Sequence, residues 1–127
     1  MIMIIQSVLL GLARGLSEGM IMTYPGVRDH VAFYMYHVLS LSVLIVLASL
    51  LFTIYKRRPK LYYVFGLFFI IWECFEIGYN ISRYSLPFVW QERIVLGEVS
   101  FVITGYGTVI IHICRIILVY ILTFKMR

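Results

Sequence analysis

The chain has 127 residues, 62% of them hydrophobic and only 13% charged, with 11 Lys and Arg against 6 Asp and Glu for a net charge of +5. Soluble domains average about 25% charged residues, and a domain this small needs ample polar surface to cover itself. This composition excludes a soluble globular enzyme, a disordered tail and a nucleic-acid-binding module, and it leaves an integral membrane protein with room for three or four spans.

A bilayer core of about 30 Å takes about 20 apolar residues of helix, and the sequence offers four such stretches. The first covers residues 2–23. No basic side chain precedes its apolar start at Met1–Ile5, so it is expected to be a retained span rather than a cleaved signal. It carries Arg14 and Glu18 as an i,i+4 pair, beside a ladder of small residues at Ser7, Gly11, Gly15 and Gly19. Such ladders let another helix backbone approach closely. Tyr24, Pro25 and Gly26 then predict a turn.

The second span covers residues 31–55, with His30, Phe33, His37 and Ser40 at helical spacing. Lys56, Arg57, Arg58 and Lys60, with Pro59 among them, form a short basic loop before the third span at 61–82. There Glu73, Glu76, Asn80 and Arg83 are spaced 3, 4 and 3 apart, within about 80° of one helix face at ~100° per residue. A longer loop is expected over 83–98, and a fourth span over 99–124, where Gly105, Thr108, His112 and Arg115 repeat the spacing. Cys74 and Cys114 each lie inside an apolar stretch and read as plain thiols.

These elements predict an all-α fold: one membrane domain over 1–127, folded as a bundle of four transmembrane helices. Placing Lys56–Lys60, Lys125 and Arg127 in the cytoplasm leaves Arg28, Arg83 and Arg93 outside. The positive-inside tendency therefore puts both termini in the cytoplasm. The expected location is the inner (cytoplasmic) membrane, multi-pass; an organellar inner membrane fits as well. Pro87, Trp90 and the many tyrosines suit the interfaces.

Charges facing lipid cost ~2.5–3.5 kcal/mol each on an insertion scale. Arg14, Glu18, His37, Glu73, Glu76, Asn80, His112 and Arg115 are therefore expected to share a polar interior within the membrane. From ~1.5 Å rise per residue, Glu18, His37 and Glu76 fall about 7–9 Å outward of the span centres, and Arg115 about 5 Å inward. Ion pairing explains much of this set: Arg14 with Glu18, Arg115 with Glu73, and Glu76 with His37 or His112.

A sharper alternative is a metal site from Glu18, His30, His37 and Glu76, a ligand set that suits Zn, Mn or non-haem Fe. Bis-histidine haem through His37 and His112 is a weaker cofactor reading. Proton-coupled transport through Glu18, Glu73 or Glu76 is a third. In plan, four short spans with a glutamate in the first resemble the small multidrug transporters, which work as dimers, although no motif matches residue by residue. No Gly-rich phosphate loop or Gly-x-Ser-x-Gly elbow occurs, and Ser40 and Ser42 lack a hydrolase context.

The expected function is that of a small membrane subunit, not an enzyme by itself. It would stabilise, or complete a polar intramembrane site in, a larger redox or transport complex. Its partners would be the lipid bilayer and other membrane subunits, with no nucleic acid. The glycine ladder, which needs a close neighbour, and the scarcity of interior for so many ionisable groups both argue for those subunits.

Overall fold

The computed structural model describes residues 1–23, 30–84 and 91–126. Four helices are long and apolar enough to cross a membrane, over Ile2–Met20, Tyr34–Arg57, Leu61–Tyr84 and Tyr106–Lys125. The helices themselves are α1 (Ile2–Thr23), α2 (His30–Arg57), α3 (Leu61–Tyr84) and α4 (Tyr106–Tyr120), the last continued by a π-helical turn at Ile121–Lys125. The turn expected at Tyr24–Gly26 lies outside the described residues, as do Arg28, Pro87, Trp90 and Arg127.

The closest packing is between α1 and α3. Gly11, Gly15 and Gly19 are buried there, and a methyl group on any of them would collide with α3: with the carbonyl oxygen of Ile71, that of Phe75, and the Ser82 hydroxyl respectively. Gly78 answers from α3, where a Cβ would come within 2.6 Å of the Leu12 carbonyl oxygen. Small residues on both helices thus bring backbone against backbone, the arrangement that drives association when no water is available to exclude. The ladder's neighbour is α3 of the same chain, so the ladder gives no reason to invoke another subunit.

α2 packs on the other side of α1, and α4 on the other side of α3, so the helices stand in the row α2–α1–α3–α4. Among the described residues α2 makes no extended contact with α4. The row is open and lacks the shared four-sided interior expected from the sequence. An apolar core of Met3, Leu10, Leu50, Tyr63, Leu67 and Ile70 fills one end. At that end the Gln6 amide also donates to Ser49 Oγ at 2.7 Å and to Thr53 Oγ1 at 3.1 Å, tying α1 to α2. Between Tyr34 and Ser49 no α2 residue is buried.

Two sequence expectations are corrected by strands β1 (Gln91–Leu96) and β2 (Val99–Thr104), which form an antiparallel hairpin. The fold remains predominantly helical with four span-length helices, but part of the loop expected over 83–98 is strand, and the fourth apolar helix starts at Tyr106 rather than Val99. Val-Ser-Phe-Val-Ile-Thr at 99–104 is apolar enough to extend a span but β-branched and aromatic enough to pair as a strand. Gly97 at φ 63° supplies the first position of the two-residue turn, and Gly105 at φ 61° breaks the chain direction before α4.

At the far end of the row the π turn buries Thr123, whose hydroxyl donates to the Val119 carbonyl, against Gly66 of α3. If close backbone approach of α1 and α3 dominates the packing, Gly15→Ala should lower stability by about 1–3 kcal/mol. That loss would be read as a lower melting temperature of the helical circular-dichroism signal in detergent. Ile110→Ala on the exposed side of α4 should change it by less than about 0.5 kcal/mol.

Candidate functional site: a carboxylate, imidazole and guanidinium cluster between α3 and α4

The α4-facing side of α3 carries Glu73 and Glu76 one turn apart, and α4 meets them with His112 and Arg115, also one turn apart. Residues three apart share a helix face, so two antiparallel neighbours can oppose two pairs at once. His112 Nδ1 lies 2.5 Å from Glu73 Oε1, and His112 Nε2 lies 3.9 Å from Glu76 Oε2. Arg115 Nη1 donates to Glu76 Oε2 at 2.5 Å and to Glu73 Oε2 at 3.3 Å, bridging the two carboxylates. The four side chains are 12%, 17%, 12% and 7% exposed for Glu73, Glu76, His112 and Arg115.

The corrected start of α4 explains why these groups meet. Moving the helix start from Val99 to Tyr106 shifts its midpoint by about 6 Å. Glu73 and Arg115 then both lie within about 1 Å of their helix midpoints, with Glu76 and His112 about 5 Å along in the same direction.

Trp72 completes the cluster and was not anticipated from sequence. Its indole N–H donates to Glu76 Oε1 at 2.8 Å, and the Arg115 guanidinium stands over its ring at 4.7 Å from the centroid. A tryptophan in an apolar helix reads as lipid-facing or interfacial; the available signal was its i,i+4 relation to Glu76, which puts both on one side of α3. Asn80 and Thr108 are buried, Asn80 one turn beyond Glu76 on α3 and Thr108 one turn before His112 on α4.

The remaining residues of the expected polar interior lie elsewhere. Arg14 and Glu18 pair with each other on α1 at 2.9 Å, their side chains 48% and 32% exposed. His37 is exposed on α2, edge-on to Tyr36, and the His30 side chain lies outside the described residues. The structure therefore does not bring Glu18, His37 and Glu76 together as a ligand set, nor His37 and His112 as axial ligands. Periodicity put His37 on a polar stripe, but among the described residues α2 meets α3 only near the Leu50 end and makes no extended contact with α4. Glu76 is met by Arg115 and His112.

Among the described residues, Glu73, Glu76 and His112 are the acids and imidazole with donor atoms gathered in one place, all within 4.8 Å of one another. Their donor set would suit a cation, but the bridging position between the carboxylates is already taken by the Arg115 guanidinium. The arrangement as it stands is an ion-pair network with an imidazole in direct contact.

Removing Arg115 alone should be far more damaging than removing the whole network. Arg115→Met removes the guanidinium that bridges the two carboxylates and is expected to destabilise the fold by about 3–5 kcal/mol. Adding Glu73→Gln and Glu76→Gln to it should recover most of that loss, since neither of the two side chains then carries a charge to be paired. Reversible unfolding in mixed detergent micelles would check both steps. Compared with known proteins, the chain matches no family model, no curated protein and no solved structure, so the meaning of the site rests on its own geometry.

Proposed function

We propose that this chain is a small multi-pass membrane protein that works as a subunit of a larger redox or transport assembly, to which it contributes the α3–α4 polar site. The observation that carries this reading is the Arg14–Glu18 pair. It lies on a helix long and apolar enough to span a bilayer, yet the pair remains 48% and 32% exposed and touches none of the α3–α4 charges through its 2.9 Å bridge. Facing lipid, each charge would cost ~2.5–3.5 kcal/mol; facing a polar partner, the pair becomes part of an interface. The sparse burial of α2 leaves further surface for such a partner or for lipid.

The orientation belongs to the same proposal. Met1, Arg57 and Lys60 line one surface hollow, which puts the N-terminus and the basic turn at the same end of the row. That end is cytoplasmic by the positive-inside tendency, in the inner (cytoplasmic) membrane.

Two measurements test the reading. Native mass spectrometry from mild detergent should find the 14.9 kDa chain in stoichiometric complex with different membrane subunits. Arg14→Leu with Glu18→Leu, which suits lipid better, should release it as a folded monomer. Retention of the complex by that double variant would sink the interface role of the pair, and a pure homodimer would favour a dimeric transporter instead. Reporter fusions should place both termini in the cytoplasm; an external signal at either end would reverse the orientation.

A further inference from the structure

We propose that the β1–β2 hairpin is a lipid-binding element, lying along the bilayer surface where α4 begins, with its apolar face on the acyl chains. This rests on the reading of the chain as a multi-pass membrane protein and adds to it a part that binds the membrane surface.

The register of the ladder sorts its residues into two faces. Partners across an antiparallel pair share a face, and neighbours along a strand alternate. Leu96 with Val99, Ile94 with Phe101 and Glu92 with Ile103 therefore fall on one face. Five of these six are apolar, and the single acid stands at the end nearer α4. The other face carries Gln91, Arg93, Ser100 and Thr104 with two valines. Among the described residues the hairpin meets α4 through β2 and makes no extended contact with α1, α2 or α3. Val99, at the tip of the apolar face, is 54% exposed.

Length sets the level at which the hairpin starts. The apolar helical stretch Tyr106–Lys125 has 20 residues, about 30 Å of helix, which matches the thickness of a hydrocarbon core. Its first residue is then at the boundary, and Gly105 alone separates it from β2. The adjacent end of α3 has the side chains that interfaces favour. There the Arg83 guanidinium stands over the rings of Tyr79 and Tyr84, 5.6 and 5.2 Å from their centroids, and Tyr106 beside them in level is 83% exposed.

Depth follows from the backbone. A two-stranded sheet has two outer edges, and alternate N–H and C=O groups along them bond outside the ladder. Hydrocarbon offers such groups nothing, while water is a poor surround for five apolar residues on one face. The headgroup layer meets both demands, with water and ester oxygens beside the edges and acyl chains beneath the face. Glu92, Arg93 and Glu98 together carry one negative charge, so the contact is apolar in origin and needs no anionic lipid.

The test uses the full chain in phosphatidylcholine nanodiscs, with Cys74→Ala and Cys114→Ala removing its two thiols. A nitroxide is attached through Val99→Cys, Ser100→Cys, Phe101→Cys, Val102→Cys or Ile103→Cys, one at a time. A further label, through Ile110→Cys, marks the exposed side of α4. Oxygen concentrates among acyl chains and a nickel chelate in water, so the ratio of their relaxation effects reads depth. That ratio should be several-fold higher at positions 99, 101 and 103 than at 100 and 102. In the unsubstituted chain, magnetisation should pass from acyl-chain protons to Phe101 and Ile103, which keeps the test open if a label unsettles the hairpin.

A water-like ratio at position 110 would overturn the membrane reading and the proposal with it. With position 110 at membrane depth, three results would overturn the hairpin's role alone. These are a water-like ratio on both of its faces, a ratio without alternation through 99–103, and no transfer from lipid to Phe101 and Ile103. So would poor access of both reagents to 99, 101 and 103, which would give the face to a protein neighbour such as a second copy.

Discussion

The close approach of α1 to α3 is the constraint on which the remaining structure depends. It needs small residues on both helices, and Gly11, Gly15 and Gly19 on one with Gly78 on the other supply them. In a surround as apolar as the side chains, burying leucine gains little; van der Waals contact between backbones is what an intramembrane helix pair can still gain. The pairing fixes the rotation of α3. With Ile71, Phe75, Gly78 and Ser82 committed to α1, helical geometry turns Glu73, Glu76 and Asn80 to the opposite side at ~100° per residue.

That opposite side is where α4 packs, and the polar site follows from the geometry of two antiparallel helices with matched pairs. Glu73 and Glu76 span one turn, as do His112 and Arg115, so each acid meets both partners. The network holds α4 in register, with Thr123 of the π turn against Gly66 as the second point of attachment. Buried ion pairs give little net stability against an apolar alternative of the same shape. Their presence between two helices that could have met through leucines therefore asks for a reason beyond stability.

The sequence revealed shared faces more readily than neighbours. The 3-4-3 spacing on the third helix put Glu73, Glu76 and Asn80 on one side, and that on the fourth put His112 and Arg115 together, even with its start set seven residues too early. Intrahelical spacing survives an error in the helix end, whereas depth does not, which is why Arg115 was first placed below its carboxylates. The same spacing on α2 was no guide to His37, since periodicity says which residues look the same way and is silent about what they look at. The hairpin escaped because Val99–Thr104 is equally apolar as strand or helix, and hydropathy alone does not separate them. The i,i+4 spacing did anticipate that Arg14 and Glu18 pair locally; that their pairing leaves them at the edge of a row follows only from the order α2–α1–α3–α4.

The open row also shapes what the site can do. In a closed bundle a buried carboxylate is surrounded on every side, and a proton reaching it must pass other helices. Here the described partners of the cluster come from α3 and α4, with Trp72 lying across Glu76 and Arg115 at its exposed edge. An indole over a guanidinium shields charge from hydrocarbon through its ring face while its N–H satisfies a carboxylate oxygen. One side chain thus lets a charged site stand near the boundary of the protein without the cost of open exposure to lipid. A neighbouring subunit that packed against α3 and α4 would meet that indole first, and displacing it would join the Glu73–His112 pair to whatever polar groups the neighbour brought. The half-exposed pair on α1 and the indole-shielded cluster on α3 and α4 thus both keep charge close to the surface of the row.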